Sequence, residues 1–492
     1  MERLSGLDAS FLYMETADVH MHVAMLAILD PGERTPSQCY QAISALFASR
    51  VPEVAPLRRR LLEVPLELHH PVWVEDPSFD LIHHLRRVAL PAPGGKRELG
   101  EMCGRICSTP LDRARPLWEA WMIEGLDDGR IGLLMKVHHC AVDGASGAGI
   151  MVHLFDLSPQ TRPGRKPPER SAEPLPTDLD LLRDAVQARL RQPVELARLA
   201  GRTVRNAFRL LERHTHAGVP STVLPLTAPR TPFNAAIGPR RDAAFASVPL
   251  PGIKEIKQIL GVTVNDVVLA IAAGALRRYL DGRGELPSEP LVAVVPISVR
   301  PAGKPSNHNE VSALFTTLAT EIADPIERLR AIAEKTRGAK ADHQAIGADM
   351  LQSWAEFAAP STFHLAARFY TRLRLADRHR PIFNLVISNV PGPRFPLYIA
   401  GSKLDAVYPL GPLAEGSGLN ITVMSYRDSV DFGLAGATDL MPDLRDLADA
   451  VIPAFDELLA AARCAADPRA DSVAVAGADH GAAAQDPPPA AV

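Results

Sequence analysis

The sequence predicts a mixed α/β chain (α+β, with mixed sheets) built from two successive sheet-and-helix regions. Three observations carry that expectation. Strand-like and helix-like stretches interleave in both halves of the chain. A polar, proline-rich stretch at 158–178 and a second proline- and glycine-rich stretch at 217–240 lie between the halves. The chain has 492 residues, 47% of them hydrophobic, which is ample for a large core and suggests two or three domains.

Residues 1–157 form the first predicted region. Within it, "HMHVAMLAIL" (20–29) reads as a strand running into the turn Asp30-Pro31-Gly32. "SQCYQAISALFASR" (37–50) reads as a helix with Ser37 as its cap. "IGLLMKVHH" (131–139) reads as a buried strand after Asp127-Asp128-Gly129. Residues 158–240 read as a linker that carries helical stretches over 179–213, broken near Pro193. The second region is expected over 241–464. There "VTVNDVVLAIAAGALRRYL" (262–280) reads as a helix, and "LVAVVPISV" (291–299) and "PIFNLVISNV" (381–390) as strands. "LNITVMSY" (419–426) and "VDFGLAG" (430–436) read as a hairpin. Residues 465–492, rich in Ala, Pro and Asp without aromatics, read as a disordered tail.

Composition narrows the function. A net charge of -4 and 5% aromatic residues disfavour a nucleic-acid partner. Five cysteines without a second zinc-spaced pair suggest a reduced, cytoplasmic setting and no metal. His20 and His22 share a strand face, but no third ligand is recognisable. The start carries no basic segment followed by an apolar core, so no secretory signal is expected. No apolar run approaches 18 residues, so no transmembrane span is expected. Neither a G-x-S-x-G elbow nor a nucleotide phosphate loop is present.

Chemistry concentrates in "KVHHCAVDG" (136–144). Side chains alternate along a strand, so His139 is expected on the face of Val137, Met135, Leu133 and Ile131. His138 is expected on the other face, with Lys136 and Leu134. Burial favours a neutral imidazole, which a general base requires. Asp143 follows at i+4, and Gly144 permits a tight turn. The bland alternative is a buried histidine pair satisfied by backbone.

Farther along, Arg198, Arg202, Arg205, Arg209 and Arg213 recur every three or four residues and form one helical stripe. A solvated basic face is the favoured reading. Contact with an anionic membrane or lipid-droplet surface is the alternative.

His138-His139-Cys140-Ala141-Val142-Asp143-Gly144 matches the H-H-x-x-x-D-G signature of CoA-dependent acyltransferases and of peptide-synthetase condensation domains. "LSGLDASFLYMET" (4–16), "PLW" (116–118), "VNDVVLA" (264–270), "PISVR" (296–300), "SNVPGP" (388–393) and "PLGPLAEGSGLNI" (409–421) extend the match over most of the chain. Together they resemble the bifunctional wax ester synthase/acyl-CoA:diacylglycerol acyltransferase family, on its triacylglycerol-synthase branch.

That resemblance implies two chloramphenicol-acetyltransferase-like lobes with a tunnel between them. It implies acyl-CoA as a substrate, with no cofactor, and diacylglycerol or a long-chain alcohol as acceptor. It also implies peripheral contact with a membrane or lipid droplet. His139 would be the general base, with His138 in support. Asp143 would orient the loop by pairing with an arginine, Arg58 or Arg300. Asn265, Asp266, Asn389, Pro391 and Gly392 would line the tunnel or the lobe interface. Pro116-Leu117-Trp118 reads as core packing. Two alternatives stand beside this reading: a condensation-like enzyme using carrier-protein thioesters, and a non-catalytic lipid-surface protein.

Overall fold

The structure is a computed structural model. It describes residues 2–142, 150–162, 175–190, 198–199, 201, 226–298, 311–346 and 360–466. In the first half the strands are β1 (Glu2–Arg3), β2 (His22–Asp30), β3 (Arg59–Leu62), β4 (Val72–Glu75), β5 (Leu85–Ala89), β6 (Trp118–Glu124) and β7 (Ile131–His138). The helices there are α1 (Gly6–Met14), α2 (Pro36–Arg50) and α3 (Lys96–Cys107). The second half contains β8 (Arg241–Pro249), β9 (Val292–Ser298), β10 (Val311–Thr317), β11 (Leu385–Pro391), β12 (Tyr398–Ile399), β13 (Ser402–Leu410), β14 (Leu419–Tyr426) and β15 (Ser429–Ala437). Its helices are α4 (Leu250–Leu260), α5 (Val264–Asp281), α6 (Pro325–Ile346), α7 (Pro360–Arg372), α8 (Leu444–Asp449) and α9 (Val451–Ala466).

Two six-stranded mixed sheets organise the chain. The first runs β12-β13-β2-β7-β6-β5, and the second β10-β9-β11-β14-β15-β8. β1, β4 and β3 form a small third sheet. The first large sheet is not built from the first half alone. β12 and β13, within the span expected to be the second lobe, cross over, and β13 pairs antiparallel with β2. The residues between β11 and β14 are thus shared structure, although they follow the linker in sequence.

The apolar alternation of β2 and β7 explains this arrangement. Ala24, Leu26, Ile28 and Leu134 face one core, while Ala27, Leu29, Leu133, Met135 and Val137 face another. A strand buried on both faces reads as a nearly continuous apolar run, as "IGLLMKVH" does. The core behind Leu26 and Leu134 also contains Ala243, Phe245 and Ala435 of the second sheet. One hydrophobic core therefore joins the two lobes.

α3 lies in that junction. Gly100 and Gly104 face β8 so closely that an added Cβ would stand 2.2 Å from the Ala243 carbonyl oxygen and 2.4 Å from that of Arg241. Polar bonds reinforce the contact. The buried Asp431 carboxylate on β15 accepts from Ser247 Oγ at 2.7 Å, Ser429 Oγ at 2.6 Å and the Val407 amide of β13 at 3.0 Å. The Val407 bond ties one sheet to the other beside the bulge between Leu404 and Ala406. Burial pushes the Asp431 carboxyl up, against the pull of those three donors.

Two local expectations are corrected. Thr35, not Ser37, caps α2: its hydroxyl accepts from the Gln38 amide, and the Gln38 side chain returns to the Thr35 amide. β7 ends at His138, so His139 sits in the following turn and not on a strand face. Among the described residues, no single helix is long and apolar enough to cross a membrane. α4 and α5 are apolar, but they meet at 107° and lie in the core of the second lobe.

Replacing Gly104 with alanine should lower the stability of the protein by about 2 kcal/mol, because backbone atoms of β8 would have to retreat. Urea unfolding measures this. An unchanged midpoint would mean that α3 does not rest on β8.

Candidate active site

The two histidines of "KVHHCAVDG" occupy different environments. His138 is fully buried and pairs with His22 across β2 and β7. Its Nδ1 accepts the Cys140 amide at 3.1 Å. The ring proton of the neutral form is therefore assigned to Nε2, which lies 3.2 Å from Glu15 Oε1. His139 is half-buried in the turn, and its amide donates to the Met21 carbonyl at 2.8 Å. Its ring stacks on Phe11 of α1, with centroids 4.1 Å apart and planes 22° off parallel.

Glu15 anchors this corner. It follows the last turn of α1. Besides facing His138, it accepts from the Met21 amide at 3.0 Å and from Arg113 Nη2 at 2.8 Å. Arg113 Nη2 also donates to the Leu12 carbonyl, one of the acceptors exposed at the helix end. Burial raises the Glu15 carboxyl. The close approach of His138, then Arg113 and the Met21 amide, outweigh it and hold the carboxyl well below the usual range. Neither Glu15 nor Phe11 was singled out from the sequence. Both sit inside "LSGLDASFLYMET", but a motif match assigns no contacts.

On the same face of β7 as His138, Lys136 is wholly buried. Its Nζ donates to the Ile106 and Thr109 carbonyls at 3.1 and 2.9 Å and lies 3.2 Å from Glu119 Oε2. Leu117 and Trp118 are core residues, and Trp118 Nε1 donates to the Leu57 carbonyl at 2.6 Å. His22 Nε2 is committed to the Cys107 carbonyl at 2.9 Å. No group of three or more metal-ligating side chains gathers among the described residues.

The second lobe supplies a cavity of about 540 Å³. Its walls are largely apolar, with Leu250, Val268, Val295, Ile297 and Leu314 among them. Asn265, Asn389 and Pro391 line it too, and Asn389 Nδ2 makes a long 3.5 Å contact with Asn265 Oδ1. Three cations, Lys254, Lys340 and Arg394, stand on its lining.

Asp266 has a different place. Its carboxylate accepts from the Thr263 amide at 2.9 Å and the Thr263 hydroxyl at 2.7 Å, closing the capping box of α5. Gly392 is pressed against β14, where an added Cβ would meet the Ser425 carbonyl oxygen at 2.1 Å. Arg58 Nη2 lies 3.3 Å from Glu75 Oε1. Asp143, Gly144 and Arg300 lie outside the described residues, as do all the arginines of the predicted stripe except Arg198.

Strand alternation links the cavity to the first lobe. Asn389 and Pro391 face the cavity, whereas Val390 between them packs on the core that contains Val137 and Val142. Met424, paired with Val390, belongs to that core as well.

The sequence matches the wax ester synthase/diacylglycerol acyltransferase catalytic domain over residues 4–268 and the WS/DGAT C-terminal domain over 308–459. The chain belongs to the wax ester synthase/diacylglycerol acyltransferase family. It is 40% identical over 460 residues to "Putative diacyglycerol O-acyltransferase Rv1760" of Mycobacterium tuberculosis, covering 93% of this chain and 90% of that protein. Rv0221 of the same organism, named in the same way, is 36% identical over 465 residues, covering 94% and 97%. The solved wax ester synthase/diacylglycerol acyltransferase of Marinobacter aquaeolei VT8 superposes with a TM-score of 0.67 at 32% identity, covering 94% of this chain and all of that one. The first condensation domain of the calcium-dependent antibiotic synthetase shares the fold at a TM-score of 0.55 and 16% identity, covering 95% and 96%. The protein is thus an acyltransferase of two chloramphenicol-acetyltransferase-like lobes.

Glu15→Gln should destabilise the protein by about 3 kcal/mol at pH 7, where the largely buried carboxylate is charged and paired. The sign with pH follows from its lowered pKa. The stabilisation is fully present above the unfolded value near 4.5 and fades as pH falls below it. Chemical denaturation from pH 7 to pH 3 should show the variant and wild type converging. A pH-independent gap would mean that the glutamate acts through packing alone.

Proposed function

We propose that the protein transfers an acyl group from acyl-CoA to the hydroxyl of diacylglycerol, with long-chain alcohols as further acceptors, and that His139 is the general base. The observation that carries this reading is the division of labour between the histidines. His138 is fixed by Glu15 and the Cys140 amide, whereas the turn after β7 presents the half-buried His139 against Phe11.

In this scheme His139 takes the proton of the acceptor hydroxyl. The oxygen attacks the thioester carbonyl, and the tetrahedral intermediate expels the CoA sulfur as the imidazole returns the proton. No acyl-enzyme forms, and no cofactor is required, since acyl-CoA is itself a substrate. Asp143 keeps the orienting role that the family resemblance implies. The cavity of the second lobe suits the donor: Lys254, Lys340 and Arg394 complement its phosphates, and the apolar wall suits its less polar portion. The relatives named as diacylglycerol O-acyltransferases favour acyl-CoA over a carrier-protein thioester and catalysis over a purely structural role.

The test is purified enzyme with labelled palmitoyl-CoA and, in turn, diacylglycerol, monoacylglycerol and a fatty alcohol, reading lipid product and CoA release. His139→Ala should lower turnover by roughly 10²–10⁴-fold, and His138→Ala by less. A folded His139→Ala enzyme with near wild-type CoA release would overturn the assignment.

A further inference from the structure

α7 has two opposed faces. Phe363, Tyr370 and Thr371 are held by the protein. The Phe363 ring lies 6.2 Å from that of Tyr13 on α1, Tyr370 Oη lies 2.7 Å from His379 Nε2, and Thr371 Oγ1 donates to Glu415 Oε2 at 3.2 Å. At about 100° per residue, Leu365, Phe369 and Leu373 fall away from that face. They are 55%, 52% and 48% exposed, an unusual state for three large apolar side chains on one helix and the residue just after it. The Leu373 amide still bonds the Phe369 carbonyl at 3.0 Å, so the stripe is continuous.

Charge identifies what this face fits. Arg368 and Arg372 are exposed along one edge of the stripe, and α7 contains no aspartate or glutamate. Neither arginine has an ion-pair partner among the described residues. An apolar strip edged by arginines complements a lipid surface: the apolar groups enter the acyl region while the guanidinium groups remain with the anionic headgroups.

We infer that Leu365, Phe369 and Leu373, with Arg368 and Arg372, dock the enzyme on an anionic phospholipid membrane. The inference rests on the proposed water-insoluble acceptor, which has to be collected from such a surface. It also gives the docking helix a purpose in the fold. α7 packs on α1, and Phe11 of α1 stacks on His139. The lipid-facing helix and the reacting imidazole share one supporting element.

The experiment uses the full chain and sedimenting vesicles of phosphatidylcholine, with or without about one-third phosphatidylglycerol. Wild type should bind the anionic vesicles, and binding should weaken with salt. Leu365→Asn/Phe369→Asn should reduce partitioning more than tenfold at any salt. Arg368→Gln/Arg372→Gln should reduce it by roughly thirtyfold at low salt and blunt the salt dependence. Each double variant should keep the wild-type melting temperature and its CoA release with a short, water-soluble alcohol, yet lose turnover of vesicle-borne diacylglycerol. Folded variants that bind anionic vesicles as wild type does would overturn the inference. So would a dimer, seen by light scattering, that both pairs of substitutions convert to monomer without changing vesicle binding. Failure of the enzyme to use any acyl-CoA would overturn the proposed function, while vesicle partitioning would still decide the docking surface.

Discussion

The largely buried carboxylate of Glu15 is the constraint on which the corner at the end of β7 depends. A lone carboxylate in that position would be costly, because removal from water disfavours its charge. Here it is met by Arg113, the Met21 amide and His138. Each partner fixes a different piece of chain: the approach to β6, the approach to β2 and the end of β7. Closing those bonds places the end of α1 against the end of β7. The stack of Phe11 on His139 follows from that placement. The two adjacent imidazoles therefore stand in different surroundings, one held at Glu15 and the other against Phe11.

The lobes are joined by backbone as well as by side chains. β13 adds a strand to the first sheet while β14, which follows it, belongs to the second. Its Val407 amide bonds Asp431 of β15, and α3 lies on β8 through Gly100 and Gly104. Wide relative motion of the lobes would have to open the core around Leu134 and Phe245 and break the bond between Val407 and Asp431.

The fold was legible where hydrophobic period and local chemistry agree. "LNITVMSY" and "VDFGLAG" pair as the expected hairpin, and the helix read over 262–280 runs Val264–Asp281. The different environments of Lys136 and Val137 follow from alternation alone. That argument stopped being valid at His139, because the backbone turns there and the rule needs a strand. β13 escaped notice for a different reason. "SKLDAVYPL" is a weak pattern, stabilised by β2 far away in sequence. Glu15 has no local signal either, since its partners converge only in the folded chain. Asn265 and Asp266 show how neighbours in one motif separate: the first lines the cavity, while the second caps its own helix.

In the proposed reaction, water would hydrolyse the thioester if it took the acceptor's place beside His139. His139 is half-buried and has an aromatic ring stacked on it, so part of its surface is closed to solvent by Phe11. An apolar acceptor arriving along α7, as proposed, would cover more of it. A soluble alcohol gains no such help from the surface. On the proposed reading, selectivity for lipid over water needs no special recognition of the hydroxyl. It follows from where the apolar face of α7 stands relative to α1, and from the chain of contacts by which Glu15 holds α1 in place.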